Sequence, residues 1–208
     1  MFFSIIIPAH NEERNISKLL DSIKAQSFTD YEVIVVCDAC EDATEAIAKS
    51  YGAVTISVNN HTDGLTRNAG IEKAQGDWIL FIDADDWYVH EYVLQQLFNK
   101  LQEITCDILC YGIIWKGIGY VSPISGRGDL YPHCTNKVWR REFIGDNRFP
   151  NKEVASDASF HEGMMRKHPK IEMFEMPIYY YNYLRKGSKS DTLGRTVENT
   201  KNYWRIVQ

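Results

Sequence analysis

Four short apolar runs, each followed by one stretch of helical periodicity, fill the first hundred residues, and this alternation restricts the fold more than any other feature of the chain. The runs are "FFSIII" (2–7), "YEVIVVC" (31–37), "AVTISV" (53–58) and "DWILFI" (77–82). Pro8 stops the first, because proline has no N–H to give a neighbouring strand. Ile16, Leu19, Leu20 and Ile23 then recur at helical spacing, and Ala43, Ile47 and Tyr51 mark a helix over 42–51. A short helix over 65–74 ends before Gly76, and Val93, Leu94, Leu97, Phe98 and Leu101 mark the next. Strands this apolar are covered on both faces, and a single helix between two strands is the length of a parallel crossover. The expected fold is α/β: one Rossmann-like domain with a mainly parallel central sheet and helices on both faces.

The second half reads less regularly. "DILCYGIIW" (107–115) is a further strand, and Gly117, Gly119, Gly126 and Gly128 mark turns. Residues 136–144 are helical or extended, 156–168 form a helix capped by Ser156 or Asp157, and "EMPIYYYNYL" (175–184) is strand-like. The polar stretch 185–195 reads as a mobile loop before a helical tail. A chain of 208 residues is enough for one domain, 1–208, with halves at 1–105 and 106–184 and a loop and tail at 185–208.

Composition excludes several classes of function. No apolar run approaches the ~20 residues that cross a bilayer, and "MFFSIIIPAHNEE" has no basic leader or small-residue cleavage site, so it reads as a strand and not a signal peptide. A net charge of −5 without a long basic stretch excludes wrapping of nucleic acid, so any phosphate ligand is small. Five cysteines, an odd number in a chain without an export signal, argue against a disulfide framework and for a reducing, cytoplasmic compartment. Cys37 and Cys40 form a CxxC without a second pair at matching spacing, and read as small buried residues.

The chemistry concentrates in "FIDADDWY" (81–88), where Asp83, Asp85 and Asp86 follow directly on an apolar strand. Packed together without a partner, three carboxylates raise one another's pKa and cost stability, so a positive group belongs there. A divalent cation is the first candidate. Ligands of parallel sheets bind beyond the carboxyl ends of the strands. There the first strand supplies "PAHNE", the second "CDACED" and the fourth "DADD". Helix capping accounts for Asn11 and Asp42 but not for three acids in four positions. A Mg²⁺-dependent phosphohydrolase with an Asp-x-Asp nucleophile is an alternative, although its acids belong after the first strand, and here they follow the fourth.

The ordered set "SIIIPAHNEE", "VIVVCDACEDAT", "GLTRNAGIEKAQGDWILFIDADD" and "SDASF" resembles the family 2 nucleotide-sugar-dependent glycosyltransferases of the A-type fold, over residues 4–86 and more thinly to 188. The resemblance implies an inverting transfer of a sugar from a nucleoside diphosphate donor, a UDP-sugar first, to a hydroxyl of a saccharide or lipid-linked acceptor. It also implies a role in cell-surface polysaccharide synthesis, in the cytoplasm and compatible with peripheral association at the inner face of the membrane. Residues 1–105 become the nucleotide-sugar-binding half and 106–184 the acceptor half. Pro8, His10 and Glu12 are then expected to line the base and ribose pocket, with Asp38 accepting a hydrogen bond from the base. Arg67 and Asn68 match the family's "ARN" segment and position the nucleotide. Asp83 faces the ribose or the metal, Asp85 is the metal ligand, and Mn²⁺ or Mg²⁺ is the cofactor. Asp157 matches the acid of the family's "ED" motif and is the expected general base, with Glu153 and Glu162 next in line. Arg185 and Lys186 match a loop that covers the diphosphate. The chain departs from the family pattern at Ser156 (for Glu), His10 (for Tyr or Phe), Cys37 (for Asp) and "ACE" (for Gly-Ser-Thr). These departures keep an inactive nucleotide-sugar-binding protein open as an alternative, which turnover separates. His133, His161 and His168 receive no role.

Overall fold

The computed structural model describes residues 1–125, 128–152 and 155–182. The first half alternates as its apolar periodicity requires: β1 (Phe3–Ala9), α1 (Ile16–Lys24), β2 (Tyr31–Asp38), α2 (Thr44–Ser50), β3 (Val54–Val58), α3 (Asp63–Lys73), β4 (Trp78–Phe81), a short β5 (Trp87–Tyr88) and α4 (Val93–Glu103). The second half adds β6 (Ile108–Trp115), β7 (Gly119–Val121), β8 (Lys137–Arg140), α5 (Arg141–Ile144), α6 (Ser156–Met165) and β9 (Ile171–Tyr181). One sheet joins them in the order β3-β2-β1-β4-β8-β6-β9-β5, with β7 on β6.

The pairs β1–β2, β2–β3 and β1–β4 are parallel, as single-helix crossovers dictate. The sheet as a whole is mixed. β8 runs antiparallel to both β4 and β6, and β6 resumes the parallel direction with β9. The connection from β6 to β8 holds β7 and irregular chain but no helix among its described residues, so β8 returns antiparallel instead of crossing over.

Alternation along each strand divides the apolar residues between two cores. Ile5, Ile7, Val35 and Leu80 meet Leu19 and Ile23 of α1 and Val93, Leu94 and Leu97 of α4 on one face. Ile6, Ile34, Val36, Ile79 and Phe81 meet Ile71 of α3 and Phe160 and Met164 of α6 on the other. Gly70 sets the depth of α3 on the sheet, because a Cβ there would come within 2.3 Å of Ile6 Cγ2. No described helix is long and apolar enough to cross a membrane.

Three local expectations change. The 136–144 stretch is both things in turn, strand β8 and then the one-turn α5. β9 starts at Ile171, earlier than the aromatic run from 175 suggests, because its first residues pair with β6. Neither Ser156 nor Asp157 caps α6: Ala155 holds the cap position at φ 60°, with no side-chain cap, and the Asp157 carboxylate bonds elsewhere. Arg185, Lys186, the 185–195 loop, the tail and Glu153 lie outside the described residues.

The cysteines are free thiols, four buried and Cys40 half-buried. Burial first, then Cys40 and Glu45, pushes Cys37 up to about 12, and burial pushes Cys106 and Cys110 up to about 11. Thiols without thiolate character are inert. Iodoacetamide at pH 8 is therefore expected to label Cys40 ahead of the other four in the native protein and all five after denaturation, as read by mass spectrometry. Labelling of Cys37 at the rate of Cys40 would show the CxxC pair to be open and reactive.

Candidate active site

The carboxyl ends of β1, β2 and β4 form a rim braced by side chains that reach across loops. The Glu41 N–H donates to Asn11 Oδ1 (2.8 Å), the Glu12 N–H to Thr44 Oγ1 (2.7 Å), and the Glu13 N–H to Asp42 Oδ2 (3.0 Å). Asn11 and Ala39 sit at φ 52° and 48°, conformations that such bracing must hold in place. His10 is exposed, and its Nδ1 lies 2.7 Å from the Asp38 carbonyl, which only accepts, so Nδ1 carries the proton. Glu12 Oε2 accepts from Asn15 Nδ2 (2.6 Å), and Pro8 is half-buried opposite Val36.

Asp38 is buried at the end of β2 and serves the fold directly. Its Oδ1 accepts the N–H groups of Asn60 (2.7 Å) and His61 (3.0 Å), and its Oδ2 accepts Thr66 Oγ1 (2.7 Å). Burial alone raises a carboxyl pKa, but here these hydrogen bonds outweigh it and hold Asp38 below the ordinary range. One lone-pair position, on Oδ2, is left beyond these three. Asn68 likewise turns into the protein: its amide accepts the Phe149 N–H and donates to the Phe149 carbonyl, both at 2.9 Å.

The centre of the rim is one guanidinium between two acids from distant parts of the chain. Arg67 of α3 donates from Nη2 to Asp83 Oδ1 (2.7 Å) and from Nη1 to Asp157 Oδ1 (3.4 Å), with its side chain only 6% exposed. The Cys134 N–H donates to the second Asp157 oxygen (3.2 Å). The two acids respond in opposite directions. Burial first, then Asp85, Asp157 and Asp63, against the pull of Arg67, pushes Asp83 up to about 6. At Asp157 burial also pushes upward, but Arg67 and the Cys134 N–H win and hold it below the ordinary range. Asp157 is thus a carboxylate at neutral pH, and Asp83 is an acid whose charged form burial disfavours more than Arg67 favours it.

A hard cation would favour the charged form that burial disfavours, and oxygen ligands from Asp83 and Asp85 suit Mn²⁺ or Mg²⁺. Among the described residues no three metal-binding side chains converge, and Asp83 and Asp85 are the two acids that would hold a cation at this rim. Asp86, the third acid of the run, is buried and accepts the Asn182 N–H (2.8 Å), which pins the end of β9.

Two supports carry no sequence signal. Lys137 is wholly buried, and its ammonium donates to the carbonyls of Tyr131 and His133 (2.8 Å) and to Asn136 Oδ1 (2.7 Å). It thereby shapes the loop that aims the Cys134 N–H at Asp157. The second, Thr66, braces Asp38 one residue before Arg67. Of the histidines left unassigned, burial, Lys137 and His133 push His161 down to about 4, so it is neutral at physiological pH.

Residues 4–171 match the family model described as glycosyl transferase family 2. The chain is 28% identical to the poly(ribitol-phosphate) β-N-acetylglucosaminyltransferase TarS of Staphylococcus aureus, over 100% of this chain and 40% of TarS. It is 36% identical to the poly(ribitol-phosphate) β-glucosyltransferase of Bacillus spizizenii, over 90% of this chain and 33% of that protein. The chain therefore spans less than half the length of either relative. The fold matches S. aureus TarS 1–349 in complex with UDP at a TM-score of 0.80, with 24% identity over 88% of this chain and 61% of that one. It matches glucosyl-3-phosphoglycerate synthase from Mycobacterium tuberculosis, in complex with Mn²⁺, UDP and phosphoglyceric acid, at 0.68, with 18% identity over 95% and 75%.

The bridging guanidinium can be tested by removal. Arg67→Met leaves two carboxylates facing each other without their cation, and unfolding in urea is expected to show a loss of about 2–3 kcal/mol, the low end for a broken buried pair because both acids keep some water. Adding Asp157→Asn is expected to restore part of that loss. A double variant no more stable than Arg67→Met would show that repulsion is not the cause.

Proposed function

Since the chain belongs to glycosyl transferase family 2, we propose that it transfers one sugar, with inversion, from a nucleoside diphosphate donor, a UDP-sugar, to a hydroxyl of a saccharide or lipid-linked acceptor in cell-surface polymer synthesis. The observation that carries this reading is the Asp83–Arg67–Asp157 bridge, which sets the acid at the donor rim and a carboxylate from the second half in one rigid frame. The cell-wall polymers in the names of the two relatives support the acceptor class.

Asp157, ionised at neutral pH, takes the proton of the attacking hydroxyl. The hydroxyl oxygen bonds to the anomeric carbon as the bond from that carbon to the diphosphate breaks, and the electron pair leaves with the diphosphate. One displacement without a covalent intermediate inverts the anomeric centre. Pro8, His10, Glu12 and Asp38 line the base and ribose site, and Arg67, flanked by Asn68, orients Asp83. Mn²⁺ or Mg²⁺, when bound at Asp83 and Asp85, supplies positive charge to the departing diphosphate. Arg185, which the resemblance implies for the diphosphate, lies outside the described residues. Free thiols suit a reducing cytoplasm, and a lipid-linked acceptor would bring the chain to the inner face of the membrane.

Two measurements test this. UDP at 100 times its dissociation constant is expected to stabilise the protein by ~2.7 kcal/mol, to do so only with Mn²⁺ or Mg²⁺ present, and to lose the effect in Asp85→Ala. Because a proton competes at Asp83, the cation-dependent part is expected to fade as pH drops through about 6. UDP binding that survives chelation would refute the metal assignment. Asp157→Asn is expected to keep UDP affinity and lower transfer by ~10² to 10⁴, the scale of a lost general base. Full transfer activity in that variant would move the base elsewhere, Glu162 or Glu153 being next.

A further inference from the structure

In the chain just before β8, a stretch (131–136) that forms neither helix nor strand, each carbonyl from His133 to Asn136 accepts a hydrogen bond from a buried residue. The Lys137 ammonium donates to the His133 carbonyl (2.8 Å) and to that of Tyr131. Trp139 Nε1 donates to the Cys134 carbonyl (3.1 Å), the Tyr111 hydroxyl to that of Thr135 (2.7 Å), and the Tyr111 N–H to that of Asn136 (3.0 Å). The Tyr179 hydroxyl adds a bond to Thr135 Oγ1 (2.8 Å). Lys137 and Trp139 stand on β8, Tyr111 on β6 and Tyr179 on β9, and all four are buried. With these carbonyls fixed on the sheet, the Cys134 N–H is turned toward α6, where it donates to Asp157 Oδ2 (3.2 Å). The Cys134 thiol lies against the same carboxylate.

Holding this loop does not by itself call for a charge. Tyr111, Trp139 and Tyr179 hold it with neutral donors, and a buried ammonium is harder to desolvate than any of them. What the ammonium adds is a positive charge that Asp157 feels. The charged and titratable groups around that carboxylate are Arg67 from α3, Asp83 beyond it at the end of β4, His133 and Cys134 from the loop, and Lys137 from β8. His161 of α6 is near enough to Lys137 to feel its charge and, pushed down to about 4, brings no second charge. We propose that Lys137 is a positioning residue for Asp157: it fixes the chain on both sides of Cys134, whose N–H orients the carboxylate, and its charge favours the form that accepts a proton. That Asp157 is the base rests on the transferase reading above; the bonding of the loop does not.

The test follows the carboxyl carbon of Asp157 by NMR through a pH titration of the full chain, its signal identified by its loss in Asp157→Asn. The midpoint is expected below the ordinary carboxylate range in the wild-type chain and higher in Lys137→Met, because a carboxylate that loses a donor or a nearby positive charge takes up a proton more readily. Lys137→Gln, which keeps a donor without the charge, is expected between the two. Tyr111→Phe removes one hydroxyl and no charge, so a rise there reports the loop alone; it keeps its ring in the core and is read even if the Lys137 variants do not fold. Turnover is read as UDP released from UDP-glucose or UDP-N-acetylglucosamine with Mn²⁺. In Lys137→Met kcat is expected to fall ~10-fold or more, toward the ~10² that a small misplacement of a reacting group can cost, with the donor KM unchanged. The loss is expected to be largest at low pH, where the raised midpoint leaves Asp157 protonated. The proposal fails if the midpoint stays at the wild-type value in every variant that folds, or if kcat falls only in step with a weakened donor KM. It fails too if Asp157→Asn keeps full turnover, since the positioned carboxylate is then not the base. A wild-type chain that releases UDP from neither donor overturns the transferase reading for these donors, while the titration, which needs no substrate, still decides whether Lys137 positions Asp157.

Discussion

Everything at the rim is arranged around one buried guanidinium. Arg67 reaches Asp83 and Asp157 only because α3 lies close on β1, and it does so because Gly70 lets Ile6 press against the helix backbone. The cation stands over the Phe149 ring at 5.7 Å, a face that Asn68 fixes by bonding both ends of its amide to the Phe149 backbone. Arg67 Nε has no hydrogen-bond partner among the described residues, a cost of the kind that structural ion pairs avoid and that functional sites tolerate. A single cation cannot neutralise every acid within reach. Arg67 bonds closer to Asp83 than to Asp157, yet burial still raises Asp83, while Arg67 and the Cys134 N–H together keep Asp157 ionised.

The second constraint is rigidity without regular structure. The loops after β1 and β2 satisfy their N–H groups on each other's side chains, so neither can move without stripping the other. Asp38 accepts the N–H groups of the loop before α3, and Lys137 donates to the carbonyls of the loop before β8. A buried ammonium is expensive, and burial pushes Lys137 down to about 8 despite its neighbours, yet its three hydrogen bonds fix the chain on both sides of Cys134. Preorganisation of this kind is what a carboxylate needs if it is to meet a hydroxyl in one orientation.

How much of this could be read from the sequence depends on whether the signal is periodic. β1 to β4 and the helices between them were legible because each buries a full face, and the period of apolar residues records it. The acid run was legible because adjacent like charges need a cause. Lys137 was not, since "NKVWRR" carries no mark that its lysine points inward to carbonyl oxygens. Nor was the clamp made by Asp38, whose partners are backbone N–H groups at positions of no distinctive type. The antiparallel β8 escaped for a related reason: irregular connections lack a period, so neither direction nor register is written in them. Asp157 shows the difference between naming a residue and placing it. Its position at the start of a helix suggests a cap, but the field of Arg67 and the Cys134 N–H draw the carboxylate away from the helix end.

Charge is sorted along the rim more finely than the net value of −5 conveys. Acids concentrate where α3 and α6 face the end of β4, and cations concentrate on the α1 side, with Asp85 in the wall between them. In the proposed function Asp85 is the oxygen that a divalent cation would share with Asp83 on the donor side, while Arg14, Lys18 and Lys116 stand on its other side, so the carboxylate marks the boundary between the two groups of charge.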